Sequence, residues 1–151
     1  MISEKVGWHG RIKVTITYRD GSVDVEEFDN LITNAGKNLL RDALQVFTDC
    51  EIKYMAWGSG TTAPAATQTQ LVSEAGRKAV TRQTAGGTGV GVTTVYLAPF
   101  DANVQIQELG WFAGATATSA ANSGVMIARV LFSRLKNNLE SIQVDRTDTI
   151  T

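Results

Sequence analysis

From Arg11 to Tyr18 apolar and polar side chains alternate: Ile12, Val14, Ile16 and Tyr18 fall on one side, Lys13, Thr15 and Thr17 on the other. A period of two marks a strand with one buried face. Asp20-Gly21 then supplies a tight turn, and Val23 to Phe28 returns as the second strand of a hairpin. Beyond it the period changes. Thr33 or Asn34 can cap a helix by accepting hydrogen bonds from the free amides of its first turn. Leu39, Leu40, Ala43, Leu44 and Phe47 follow at spacings of three and four. They predict one amphipathic helix near residues 34–47, about four turns long, whose apolar stripe is buried against a sheet or a neighbouring subunit.

Downstream the pattern returns to strands. Ile52 to Trp57 is short and apolar, and Arg77 to Gln83 and Val90 to Leu97 are two strands joined across Gly86-Gly87-Thr88-Gly89. Val104 to Phe112 is another, Val125 to Phe132 is a continuous, mainly apolar strand as expected for a central position, and Ser141 to Thr151 alternates again. Ala113 to Gly124 is a loop of small residues with no large side chain to fix it. The fold class expected is mainly β (α+β): an antiparallel β-sandwich or curved sheet of seven to eight strands with one helix. Residues 1–10 lack a period and read as an N-terminal arm, leaving residues 11–151 as a single β-rich domain, a length that suits one core.

Composition narrows the partners. Net charge is −1 with both signs interspersed, so there is no basic stripe and no nucleic acid is expected as a partner. Charged residues make up 19% of the chain, below the ~25% of ordinary soluble domains, as on a surface partly covered by something else. Cys50 is the one cysteine, which excludes an internal disulfide and a cysteine-based metal cluster. No apolar run reaches the roughly 20 residues that span a bilayer, and Met1-Ile-Ser-Glu-Lys-Val-Gly-Trp has no apolar signal core. A soluble protein made in a cytoplasm, with no membrane partner, is expected.

Candidate chemistry is sparse. His9 is the one histidine and lies in the expected arm, with no nucleophile near it in sequence. Cys50 follows the helix directly and reads as a small packing residue. Asp24, Glu26, Glu27 and Asp29 carry oxygen ligands, but their spacing fits no calcium loop and suits the solvated face of a strand. Gly58-Ser59-Gly60-Thr61-Thr62 lacks the lysine of a phosphate loop, and Gly86-Gly87-Thr88-Gly89-Val90-Gly91 opens no helix. Both read as turns. Trp57 and Trp111 lie in strands that feed the core, whereas Trp8 is the better contact residue. No catalytic residue, cofactor or metal site is therefore expected. The candidate interface is Trp8 and His9 in the arm, Gly58, Ser59, Gly60, Thr61, Gly86, Gly87, Gly89 and Gly114 in the small-residue loops, and Thr151.

One succession of segments carries a resemblance. A polar hairpin leads into Asn30-Leu31-Ile32-Thr33-Asn34-Ala35-Gly36-Lys37, then a strand and Gly58-Ser59-Gly60-Thr61-Thr62-Ala63-Pro64, then Glu108-Leu109-Gly110-Trp111-Phe112 and Val125-Met126-Ile127-Ala128-Arg129-Val130-Leu131-Phe132. Over roughly residues 20–151 this order resembles small virion structural proteins of tailed bacteriophages, tail-fibre-like or collar-fibre-like. Such relatives continue the last strand beyond the position of Thr151. The resemblance implies no catalytic residues, a location in the virion and self-assembly, with a trimer as the first expectation from phage precedent. It implies a component of the tail, baseplate or fibre-attachment apparatus. The alternatives are a capsid decoration (cement) protein and a receptor- or glycan-recognising tail-tip domain.

Overall fold

The alternating stretch at the start of the chain forms β1 (Trp8–Tyr18) in a computed structural model that describes residues 7–151. At the turn, the Asp20 carboxylate accepts from the Ser22 amide at 2.8 Å, and β2 (Val23–Asp29) returns antiparallel. A two-residue β3 (Leu31–Ile32) leads into helix α1 (Asn34–Val46). Then come β4 (Ile52–Gly58), β5 (Glu74–Ala79), β6 (Arg82–Ala85), β7 (Val90–Leu97), β8 (Gln105–Ala113), β9 (Val125–Leu135) and β10 (Glu140–Ile150).

The strands make two five-stranded antiparallel sheets, ordered β2-β1-β10-β7-β6 and β3-β9-β8-β4-β5. Their inner faces form the core of a β-sandwich. Ile12, Val14, Ile16, Val95, Leu97, Ile142 and Val144 come from the first sheet, and Met55, Ile106, Leu109, Trp111, Ile127, Val130 and Phe132 from the second. A smaller cluster of Ala56, Leu71, Phe112, Ala117 and Met126 forms where loops cover the outer face of the second sheet.

Three expectations are corrected. The arm expected at residues 1–10 lies outside the described residues up to residue 6. Trp8, His9 and Gly10 are strand, in register with Ile150, Thr149 and Asp148 of β10. The single strand expected over 77–83 is two, in different sheets. The Val80 amide donates to Lys53 O at 2.9 Å, while the next amide, Thr81, donates to Thr94 O at 2.8 Å. The chain crosses between sheets there, and with β3 this raises the count from seven or eight strands to ten among the described residues.

The third correction concerns α1. Thr33 caps it, its Oγ1 accepting from Gly36 N at 3.0 Å and donating to Met126 O at 2.5 Å. Gly36 seats the first turn directly on β9, where a Cβ would come within 2.8 Å of the Ile127 backbone. Leu39 is buried and Leu40 and Ala43 half-buried, but Leu44 is 82% exposed and Phe47 99%. The helix rests on the sandwich through its first half, and the rest projects beyond the sheets.

Candidate functional site

α1 lies across one end of the sandwich and leaves a cleft of about 170 Å³ beside it. Gly36, Leu39 and Leu40 of the helix line one wall, with Trp8, Ile52, Ile127 and Ile150 from four strands opposite and Cys50 and Asp148 at its margins. The Asp148 carboxylate is occupied. It accepts from Trp8 Nε1 at 2.8 Å and from the Arg146 guanidinium at 2.6 Å. Arg146 is itself fully buried, 5.3 Å above the Trp111 ring, and reaches the side-chain oxygen of Asn30. The charges beside the cleft thus satisfy one another, and the space offered is apolar.

The other buried charges hold loops. Glu108 and Arg129 form a fully buried pair, Arg129 Nε donating to Glu108 Oε2 at 2.6 Å. The carboxylate also accepts from the amides of Gly60, Val72 and Ser73 at 2.9, 3.1 and 2.8 Å, and Arg129 Nη1 donates to Thr62 O at 2.7 Å. Burial pushes the Glu108 carboxyl up, but these donors outweigh it and hold it below the ordinary glutamate value. Arg77 does the same for the small-residue loop. It grips Glu74 with two bonds of 2.8 Å, donates to Thr118 O and Ser123 O at 3.0 Å, and stacks 4.3 Å above Phe112. Lys136 is buried, its ammonium donating to Ala98 O at 2.9 Å, Pro99 O at 3.2 Å and Asn103 Oδ1 at 3.1 Å. Desolvation holds its pKa below the ordinary lysine value.

These clamps change the reading of several candidate interface residues. Gly58 and Gly60 are buried against the Glu108 carboxylate, where a Cβ would lie 2.6 and 2.7 Å from Oε1. They allow close backbone approach, and only Ser59 and Thr61 face outward. Gly114 is buried beneath Leu39 at φ 91°. Gly86, Gly87 and Gly89 form the exposed β6–β7 turn, and Gly89 O accepts from Ile150 N at 2.8 Å. Trp8, Gly89, Gly114 and Thr151 therefore gather at the end closed by α1, while Gly58 to Thr61 belong to the outer side of the second sheet.

His9 is exposed on the face of β1 opposite Trp8, and Cys50 sits at the cleft margin, so the two are not brought together. In the acidic run, Asp29 pairs with Arg11 at 2.9 Å and Asp24 accepts from the Tyr18 hydroxyl at 2.7 Å. Trp111 is fully buried and Trp57 half-buried against Gly76. The residues that sequence reasoning passed over are Glu108, Arg129, Arg146, Lys136 and Arg77. For Glu108 and Arg129 the signal was a charge set inside an otherwise apolar strand stretch, whereas Arg146 and Arg77 lie in mixed polar strands and Lys136 just beyond β9, where no such signal exists. In comparisons with known proteins, no family model, no curated protein and no solved structure matches the chain.

Proposed function

We propose that the protein is a virion structural protein of a tailed bacteriophage, a self-assembling component of the tail, baseplate or fibre-attachment apparatus. The phage assignment rests on the order of segments quoted above. The observation that supports an assembly role is apolar exposure at both ends of the sandwich. Leu44, Val46 and Phe47 project at the α1 end. At the other end, where the 98–104 loop meets the β9–β10 turn, Phe100 is 81% exposed and Leu135 67%. A soluble monomer seldom leaves aromatic and branched side chains so open, whereas a subunit that meets neighbours at both ends covers them. Its partners are other copies of itself and adjoining virion proteins, and it performs no catalysis.

The experiment is peptide mass spectrometry on purified particles separated into heads and tails. Recovery with tails is the expected result. Recovery with heads alone would assign it as a capsid decoration protein, and absence from particles would overturn the proposal. Binding to a host-glycan array by the isolated chain would instead favour the tail-tip recognition alternative.

A further inference from the structure

We propose that two copies of this chain pair through α1 about a two-fold axis, each inserting Phe47 into the other's cleft beside Leu39 and Leu40. The starting point is Phe47 itself. It is the C-cap of the helix, it stands at φ 56° in the left-handed region, and it is almost wholly exposed. Both features are costly for a phenylalanine, since that conformation suits glycine and water suits polar groups. Such a residue is placed to be covered.

The same end of the molecule supplies the cover. The cleft holds about 170 Å³ and is lined by Leu39, Leu40, Ile52, Ile127, Ile150 and Trp8. Apolar cavities of roughly 150 Å³ take up a benzene ring, so the cleft matches a phenyl group in size and character. Leu40 and Leu44, four residues apart, form a stripe running from the cleft towards the C-cap, where Phe47 stands. Knob and hole therefore lie on one continuous face. A two-fold axis across it brings each knob to the other hole, as an isologous contact requires.

Charge chooses the second copy over an unrelated partner. α1 has no acidic residue in its first turn and no basic residue in its last. Lys37 and Arg41 occupy its N-terminal half, Arg41 already paired with Asp42 at 2.8 Å, and Asp49 and Glu51 follow its C-terminal end. This arrangement adds to the helix dipole where side chains ordinarily oppose it. Asp49 is neutralised by Lys53 at 2.6 Å, which leaves Glu51 to act outward. Two antiparallel copies lay Lys37 of each helix along Glu51 beyond the end of the other. The inference rests on the self-association proposed above but not on the phage assignment. The pairing is read on the purified chain alone, whereas the virion reading is decided by particle fractions, so either can fail without the other.

The test is sedimentation velocity on the purified chain and on Phe47→Gly, with circular dichroism and thermal melting of both. The chain is expected to sediment as a dimer and Phe47→Gly as a monomer. Glycine suits the left-handed position, so the variant keeps its spectrum and, as a monomer, melts no lower than the parent diluted to monomer. Loss of pairing is then not loss of fold. Lys37→Glu should weaken the dimer several-fold, and adding Glu51→Lys in the same chain should restore it. Cys50, at the cleft margin, should react with a thiol reagent several-fold more slowly in the dimer than in Phe47→Gly. A parent chain that is monomeric at every concentration, a dimer that survives Phe47→Gly, or a trimer would overturn the proposal. So would Cys50 protection that is equal in both proteins and lost only on deletion of residues 1–6, because the cleft would then be filled by the chain's own N-terminal segment.

Discussion

Glu108 and Arg129 sit on neighbouring strands with side chains sealed from water, and each would be costly to bury alone. Together with the amides of Gly60, Val72 and Ser73 they form a closed set in which every charge has partners. Glu108→Ala leaves the Arg129 guanidinium uncompensated and is expected to lower stability by about 3–5 kcal/mol in urea unfolding. Replacing both by apolar residues of similar volume should cost much less. The pair also sets an acid dependence. Glu108 binds its proton less readily folded than unfolded, so its contribution is complete above the ordinary value of 4.5 and is lost as pH falls through the lower folded value. The stability gap between the parent and Glu108→Gln should therefore narrow with acidification below pH 4.5, as followed by urea titrations at stepped pH. That these two charges interrupt apolar stretches is visible in the sequence, although their burial was passed over. What they hold is not, because the bonded loop atoms lie between 35 and 69 residues away along the chain.

At the scale of elements, α1 divides into a seated half and a projecting half. Leu39→Ala should cost about 2–5 kcal/mol, as truncation of a buried leucine does. Leu44→Ala should change monomer stability by less than about 0.5 kcal/mol, although both residues belong to the same stripe. Phe47→Gly should stabilise the monomer by about 1 kcal/mol by relieving the left-handed backbone. Chemical denaturation of dilute protein checks all three. The cap at Thr33 and the helix period were legible because both are local. The reach of the supporting sheet was not, since a period of 3.6 gives the direction of a face and not the extent of what lies beneath it. The 113–124 loop carries the converse lesson. Its small side chains predict mobility, yet Arg77, from a strand not adjacent to it in sequence, holds the Thr118 and Ser123 carbonyls. Hydrogen exchange should find Thr118 and Ser123 protected in the monomer, where both amides are bonded within the loop. Arg77→Ala should release them.

For the whole molecule, the alternation of polar and apolar positions was enough to predict a mainly β sandwich with one helix. The sheet order was not legible, because nothing local in β1 names its partner. Between Val80 and Thr81 the chain leaves one sheet for the other, in a stretch of mixed polar residues with no period to mark the crossing. That crossing and the shared core tie the two sheets together, so unfolding should be a single transition with coincident near- and far-ultraviolet dichroism.

The position of β10 between β1 and β7 has a consequence for biosynthesis. The β1–β2 hairpin is made early, but β1's partner on its other edge emerges from the ribosome more than a hundred residues later, since Trp8 pairs with Ile150 across the register. Until then one edge of β1 stands unpaired, although the opposing sheet is already made once β9 has emerged. A nascent chain in this condition is a substrate for chaperones and for aggregation. Pairing at such separation also makes folding slow, on a scale of milliseconds to seconds. Chains arrested on the ribosome before β10 emerges should be digested rapidly by protease, and resistance should appear only once Glu140 to Ile150 has cleared the exit tunnel.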